Sequence, residues 1–175
     1  MAKVINQGSG TASVIKQSIQ GDAGVANAVA FVDVVIDVNE NKTVVEWIGN
    51  GDRASDGDKA LGMGEITSPT NFRITRGETV DAETWNYRLI EFTNLKALHK
   101  DTVVLTGGVA LNIVIPEVDI DKCQIYLTYL GVNDYGNPTT MAEINVFRRL
   151  TTTTNFQLLS RVSGCQVSYF IAESL

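Results

Sequence analysis

Hydrophobic and polar residues alternate one by one along most of this chain. In Phe31–Val38 every second residue is valine or isoleucine, and Asp33 and Asp37 lie between them. This period of two predicts a strand with one buried face, because a helix would spread the same residues around its circumference. Residues 109–115 repeat the pattern with Asn112 in the place of Asp33. The residues expected to point inward are Val32, Val34, Ile36 and Val38 in the first segment, and Leu111, Ile113 and Ile115 in the second.

A second pair of strands follows the first. Thr43–Ile48 and Cys123–Tyr129 both alternate, and both come directly after a polar turn. Alternation places Tyr126 on the outward face of its strand. The residues expected to point inward are Val45 and Trp47 in the first strand, and Ile125 and Leu127 in the second.

The two halves of the chain also share a motif. Thr70–Arg76 begins Thr-Asn-Phe, as does Thr154–Ser160, about half a chain later. Each copy is followed by a strand with an aromatic, an aliphatic and a glutamate at alternate positions: Tyr87, Leu89 and Glu91 in the first copy, and Tyr169, Ile171 and Glu173 in the second. A repeat of this length indicates a duplicated domain.

Short alternating strands at turn spacings near ten residues are typical of sandwiches. We therefore expect an all-β fold with two tandem antiparallel β-sandwich domains related by internal duplication. The expected ranges are an N-terminal arm at 1–12, repeat 1 at 13–92 and repeat 2 at 93–175. Thr93–Lys100 is expected to connect the repeats, and Met141–Leu150 is compatible with helix or strand.

Composition narrows the classes of partner. The chain has 175 residues, 14 basic against 20 acidic, and only 19% are charged. A face that binds nucleic acid normally needs clustered lysine and arginine, which are not seen here. No apolar run is long enough for a membrane-spanning helix, so we expect neither nucleic-acid binding nor membrane insertion. Small polar residues replace the missing charges, and such a surface suits packing against other subunits.

Few residues suggest catalysis or a cofactor. His99 is the only histidine and falls in the expected connector, away from any nucleophile motif. Cys123 and Cys165 fall outside the duplicated pattern and are expected to be reduced thiols. Asp56-Gly57-Asp58 offers oxygen ligands for Ca²⁺ but lacks the remaining ligands of an EF-hand loop, so a solvated loop is the alternative. We therefore expect no catalytic residues, no cofactor and no metal.

Glu91 and Glu173 occur in both copies. Each ends a strand on its inward face, where a carboxylate needs a donor or must reach the rim. We expect structural rim carboxylates held by arginine, with Arg73, Arg76 and Arg161 as the possible donors. The alternative is half of an acid/base pair, which would need a second repeated carboxylate.

Aromatic side chains are the candidates for ligand contact. Trp47 and Trp85 lie on inward faces, which predicts a place in the core. Tyr126 lies outward and Tyr135 lies in a turn, so these two are expected to contact a partner or a glycan.

The segment Tyr87–Phe92 resembles the closing strand of tailed-bacteriophage virion domains. Those small β-sandwiches often end in an aromatic, an aliphatic and a Glu-Phe pair, after a Thr-Asn segment that leads to an arginine, as in Thr70–Arg76. The chain is also loosely similar to H-type lectins, which are six-stranded sandwiches that form trimers. The second copy departs from the pattern, since it ends Glu173-Ser174-Leu175 and has Ser160 in the place of Arg76.

This resemblance implies a virion component, made in the host cytoplasm, that forms a trimer and contacts other virion proteins. The leading hypothesis is a non-enzymatic structural protein of the capsid surface, tail or fibre base. The alternative is a carbohydrate- or receptor-binding module of a phage tail, acting on a host-surface glycan. An enzyme such as a glycan hydrolase is the third hypothesis.

Overall fold

A computed structural model describes residues 15–25, 30–50, 62–76, 83–130, 146–161 and 163–175. These residues form strands, with one three-residue 3-10 turn at Ile120–Lys122. The strands are β1 (Ile15–Val25), β2 (Phe31–Val35), β3 (Thr43–Asn50), β4 (Gly62–Ser68), β5 (Asn71–Arg76), β6 (Glu83–Phe92), β7 (Leu95–Leu105), β8 (Leu111–Val114), β9 (Cys123–Leu130), β10 (Val146–Thr152), β11 (Asn155–Ser160) and β12 (Cys165–Ser174). The all-β class is confirmed.

The two halves of the chain have the same sheet topology. In repeat 1, sheet A has the order β1-β6-β3 and sheet B the order β2-β5-β4. In repeat 2, sheet C has the order β7-β12-β9 and sheet D the order β8-β11-β10. All neighbouring strands are antiparallel. The chain is therefore a duplicated pair of antiparallel units, as expected. The last strand of repeat 1 ends at Phe92, and the first strand of repeat 2 begins at Leu95.

Matching strands of the repeats also agree in length, except that β2 has 5 residues and β8 has 4. β1 and β7 both have 11 residues, β3 and β9 have 8, and β4 and β10 have 7. β5 and β11 have 6, and β6 and β12 have 10. We call two residues equivalent when they occupy the same place in matching strands. Equivalent residues can then be compared directly for exposure and contacts.

The core of each repeat lies between its two sheets. Phe72 and Ile74 of β5 pack against Leu89 of β6 in repeat 1, and all three are fully buried. An aromatic pair occurs at equivalent positions in both cores. The ring centroids of Phe72 and Tyr87 are 4.8 Å apart, and those of Phe156 and Tyr169 are 5.1 Å apart. Tilted pairs at this distance add to the stability that burial provides.

The expected alternation is confirmed along β2 and the residues that follow it. Val32, Val34, Ile36 and Val38 are half-buried or buried, whereas the alternate residues Asp33, Val35 and Asp37 are exposed. Trp85 is buried, and Trp47 packs against the core with its indole Nε1 donating to the carbonyl of Gly62 at 2.7 Å. Gly62 also leaves room for Trp85, since a Cβ there would lie 2.9 Å from the Trp85 ring.

One expectation about the chain path is wrong, one open alternative is decided, and one expectation stays untested. Thr93–Lys100 is not a connector, because β7 begins at Leu95 and pairs along its length with β12. The helix-compatible stretch forms strand β10 from Val146 onward. The N-terminal arm at 1–12 and the residues 141–145 lie outside the described residues.

The two repeats pack against each other through the outer face of sheet C. Tyr126, Phe170 and Ala172 of that face belong to one buried cluster with Val44 and Ile90 of sheet A. Strand β9 also contacts β3 and β4. Sheet C is therefore covered on both faces, by sheet D on one side and by repeat 1 on the other.

Candidate functional site

The repeated glutamates are buried at one end of each core, and each binds a lysine. Only 2% of the Glu91 side chain and 1% of the Glu173 side chain is exposed. Lys16 Nζ lies 2.8 Å from Glu91 Oε1, and Lys96 Nζ lies 2.8 Å from Glu173 Oε1. These two lysines are equivalent, so the same ion pair is built twice.

A β-bulge places each lysine. The pairing of β1 with β6 shifts between Ile15 and Gln17, and the pairing of β7 with β12 shifts at the same place. A bulge leaves one residue outside the regular ladder and redirects its side chain. Lys16 and Lys96 are these bulged residues, which lets each ammonium group reach around the strand edge to the carboxylate.

Both carboxylates also accept from a backbone N–H, and only Glu91 accepts from a second side chain. Gln17 Nε2 donates to Glu91 Oε2, and the backbone N–H of Asn39 also donates to this carboxylate. Glu173 Oε1 accepts from the backbone N–H of Asp119 at 2.9 Å, and Asn39 and Asp119 precede β3 and β9 at matching places. Each carboxylate thus ties its closing strand to the turn before the next strand of the sheet.

The expectation of arginine donors is wrong. Arg73 binds Asp33 with two hydrogen bonds of 2.8 and 2.9 Å, and it holds the pKa of that carboxyl at about 2. Arg76 is buried, and Arg161 is exposed beyond β11. The lysines that serve instead stand early in each repeat, directly after Ile15 and Leu95.

The electrostatics favour an ionised carboxylate in both repeats. Burial alone would raise the pKa values of Glu91 and Glu173, but the hydrogen bonds and charges of Lys16 and Lys96 bring both below their ordinary value. A buried carboxylate with a lowered pKa stays charged at neutral pH. This behaviour suits a structural ion pair that fixes the end of a strand.

A shallow cleft of about 600 Å³ opens beside the Lys96–Glu173 pair. Its polar lining consists of Lys96, Glu117, Asp119 and Asp121, together with Thr153 from the β10–β11 turn. The cleft is therefore mainly acidic. Across the described ranges, no group of three or more histidine, cysteine or acidic side chains is placed to hold a metal ion.

Tyr126 is not an exposed ligand contact. It points away from the repeat 2 core, as expected, but this face of sheet C is covered by repeat 1. Its hydroxyl donates to Gln124 Oε1 at 2.7 Å, and burial raises the pKa of that hydroxyl to about 12, with a contribution from Glu46. Tyr126 therefore contacts the partner repeat of its own chain. Tyr135 lies outside the described residues.

Thr128 joins the repeats by capping a strand edge. Its Oγ1 accepts from the backbone N–H of Gly64 at 3.1 Å and donates to the carbonyl of the same residue at 3.0 Å. Gly64 lies in β4, the edge strand of sheet B. One buried hydroxyl thus satisfies both backbone polar groups of Gly64, as a neighbouring strand would. The alternation of hydrophobic and polar residues gives no sign of this contact, because it depends on how the two repeats pack.

Two further hydrogen bonds join β7 to repeat 1. Lys100 Nζ donates to the carbonyl of Glu40 at 3.0 Å, and Thr102 Oγ1 donates to Glu65 Oε1 at 2.6 Å. Both side chains project from the same face of β7. Repeat 1 therefore lies across sheet C from the β2–β3 turn to β4.

The outer faces of sheets B and D carry exposed hydrophobic residues. Val35 at the end of β2 is 89% exposed, and Val114 at the end of β8 is 86% exposed. These residues lie opposite Asn71 and Asn155, which are equivalent. Phe31 on sheet B is also exposed, and Arg73 stacks on its ring at 4.1 Å from the centroid. Apolar groups at matching places on both outer faces are features that suit contact with other molecules.

The remaining candidates for chemistry are structural or lie outside the described chain. His99 lies within β7 opposite Ile171, and burial lowers its pKa, opposed by Glu173. Cys123 lies opposite Glu173, near the far end of β12 from Cys165, so the two sulfurs are on the order of 25 Å apart and cannot form a disulfide within the chain. Burial raises the pKa of Cys123 to about 12 and that of Cys165 to about 11. Asp56 and Asp58 lie outside the described residues.

Comparison with known proteins gives no further assignment. The chain matches no protein-family model, no curated protein and no solved structure. In the parts of the chain described here, no helix has the length and apolar character needed to cross a membrane.

Proposed function

We propose that this protein is a non-enzymatic structural component of a tailed-phage particle that acts through protein–protein assembly. The proposal places it in the capsid decoration, the tail or the fibre base, as a trimer in contact with other virion proteins. The observation that carries it is the contact between the two sandwiches of the chain. One sandwich already binds the other through a buried sheet face and a capped strand edge.

The surface of the protein supports this proposal. Exposed valines stand at matching places on the outer faces of sheets B and D, and Phe31 and Phe147 are exposed elsewhere on the same two faces. The chain has few charges, so these apolar groups are not surrounded by a strong field of one sign. The sequence resemblance to phage virion sandwiches supports the same proposal. The glycan alternative loses one of its two tyrosines, since Tyr126 is buried between the repeats.

The first test is the oligomeric state of the purified chain. Size-exclusion chromatography with light scattering at micromolar concentration is expected to give three copies. A second measurement locates the chain in the particle: antibodies raised against it should label intact virions in electron micrographs. A monomer that is absent from particles would contradict the proposed function.

Surface variants extend this test. We expect the double substitution Val35→Lys and Val114→Lys to reduce incorporation into particles, because it places charges in the apolar parts of both outer faces. Gln166→Lys is the control, since Gln166 is exposed on sheet C and does not belong to the outer face of sheet B or of sheet D. Equal incorporation of the double variant and the control would exclude these faces as the binding surface.

A further inference from the structure

Arg76 is the one buried residue among the described lysines and arginines. It ends β5 and is only 4% exposed, yet its Nε and Nη1 atoms have no hydrogen-bond partner in the described part of the chain. Arginine does not lose its charge in proteins. Repeat 1 therefore holds a buried positive charge for which the described residues supply no ion-pair partner.

The paired cations of the described chain show the opposite combination of exposure and pairing. Lys16, Arg73, Arg88 and Lys96 each bind a carboxylate, and their side chains are between 36% and 55% exposed. Water already stabilises an exposed charge, so pairing adds little, whereas a buried charge without a partner is costly. A carboxylate would therefore contribute more to stability at Arg76 than at these four residues.

The sandwich does not require an arginine at this place. Ser160 is equivalent to Arg76 in β11 and is also fully buried, but it is neutral. Its side chain forms a hydrogen bond with the thiol of Cys165. Repeat 2 thus builds the same strand end with a satisfied polar residue. The charge in repeat 1 therefore has a role other than building the sandwich.

Arg76 lies at one end of the repeat 1 core. It pairs with Gly62 at the start of β4, and its backbone N–H donates to the carbonyl of Ala30 at 3.0 Å, just before β2. Gly62 has no side chain, and the ring of Trp85 lies against it. Glu91, the buried carboxylate of this core, lies about 20 Å from Trp85 along β6, since a strand rises about 3.4 Å per residue. Glu91 therefore cannot neutralise Arg76.

We propose that Arg76 is a binding site for a carboxylate, which is either a free ligand or an acidic side chain of a neighbouring copy. A guanidinium matches the two oxygens of a carboxylate, and buried surroundings strengthen the pair. One carboxylate neutralises one arginine, whereas a phosphate dianion would leave a negative charge buried. The site goes beyond the proposed function, because a free ligand would not require assembly.

Removal of the charge tests whether Arg76 is unpaired in the isolated chain. Arg76→Met keeps an unbranched side chain, and at a dilution that gives single chains its Tm should exceed that of the wild type by about 2–4 °C. Arg73→Met is the matched control, since Arg73 lies on the same strand and is paired with Asp33, and it should show no gain. Arg76→Lys keeps the charge and should show none either. A Tm for Arg76→Met equal to or below that of the wild type would overturn the proposal.

Acetate is the probe for a free carboxylate. In ¹H–¹⁵N spectra of the wild-type chain, the Nε–H signal of Arg76 is identified by its loss in Arg76→Lys. This signal should shift with added acetate but not with chloride at the same ionic strength. A ligand that binds the folded state also raises the Tm, so acetate should stabilise the wild type and leave Arg76→Met unchanged. This result assigns a free ligand to the site.

The oligomer tests the other source of the carboxylate. If an acidic side chain of a second copy fills the site, Arg76→Met should raise the dissociation constant of the oligomer about tenfold, without a response of the wild type to acetate. If acetate has no effect and Arg76→Met assembles as tightly as the wild type, the site takes no carboxylate and the proposal is wrong. A wild-type chain that responds to acetate but is monomeric and absent from particles contradicts the proposed function alone.

Discussion

Repeat 1 and repeat 2 share the residues that build each sandwich and differ in the residues that join them. Both repeats have a lysine on a bulge that binds a buried glutamate, and a phenylalanine stacked near a tyrosine. Both also have a threonine hydroxyl that donates to the first residue of the next strand. Thr67 Oγ1 donates to the carbonyl of Asn71 in sheet B, and Thr151 Oγ1 donates to the carbonyl of Asn155 in sheet D.

Residues that differ between the repeats lie on the outer faces of sheets A and C, where the repeats meet. Phe170 of sheet C is buried in the contact with repeat 1, whereas its equivalent Arg88 is partly exposed and binds Glu46. Glu46 is in turn equivalent to Tyr126. Sheet C is therefore apolar at a place where sheet A carries an ion pair, and Val44 and Ile90 of sheet A complete the contact. The shared residues thus stabilise the fold, and the divergent residues determine the arrangement.

The largest expected effect comes from exchanging residues at this divergent position. Phe170→Arg buries a charge in the contact between the repeats, and we expect it to cost about 4 kcal/mol or more of the free energy of unfolding. Arg88→Phe, the reverse exchange, leaves an aromatic ring partly exposed and should cost about 1 kcal/mol or less. Urea unfolding of both variants measures the difference. Equal losses would show that the two faces are alike.

The ion pairs are expected to contribute unequally. Lys96→Met leaves Glu173 with the Asp119 backbone N–H and should cost about 2–3 kcal/mol, because the buried carboxylate loses its charged partner. Lys16→Met should cost about 1–2 kcal/mol, because Glu91 keeps Gln17 and the N–H of Asn39. Chemical denaturation followed by tryptophan fluorescence compares the two.

A further substitution checks the reason for this difference. Adding Gln17→Ala to Lys16→Met removes the second side-chain donor from Glu91. It also makes repeat 1 like repeat 2, where Ala97 occupies the place equivalent to Gln17. The loss in repeat 1 should then approach the loss in repeat 2. If Gln17→Ala has no effect on the Lys16→Met background, the amide does not compensate as described.

Removing the edge cap should have a smaller effect. Thr128→Val keeps a branched side chain but leaves the N–H and carbonyl of Gly64 buried without this partner, which should cost about 1–2 kcal/mol. Thr151→Val is the control, since its hydroxyl bond is exposed and should contribute less than about 0.5 kcal/mol. The comparison fails if both variants unfold at the same urea concentration.

The smallest expected effect is on the pH dependence of stability. The folded-state pKa values of Glu91 and Glu173 lie below the ordinary value of 4.5, despite burial that alone would raise them. Their contribution is therefore present above that value and is lost as the pH falls through the folded-state pKa. The double variant Lys16→Met, Lys96→Met lacks this contribution. Its free energy of unfolding should therefore approach that of the wild type as the pH falls from about 6 to about 3. A constant deficit would mean that the lysines act without changing these pKa values.

The sequence allowed the sheets to be predicted because one-face burial leaves a period of two in the side chains. Val32, Ile36, Leu111 and Ile115 were placed correctly on this basis, and so was Trp85 in the core. The repeat in the sequence likewise predicted the repeated topology. These features are local in the chain or follow directly from duplication.

The contacts around the glutamates and Tyr126 could not be predicted in the same way. Alternation gives the side of the sheet on which Tyr126 lies, but not whether another domain covers that side. The donors to Glu91 depend on a bulge at Lys16, and a bulge depends on strand register across about 75 residues of chain. Thr93–Lys100 lacks clear alternation because β7 is partly buried on both faces, so the period of two does not identify this segment as a strand.

A crystal structure of the purified chain tests most directly whether the two repeats share a fold and dock by a face that has diverged. The account predicts that strands β1–β6 superimpose on β7–β12, that both lysine–glutamate pairs are formed, and that Tyr126 and Phe170 are covered by repeat 1. A structure in which the repeats lie apart, with Tyr126 and Phe170 exposed to solvent, would contradict it.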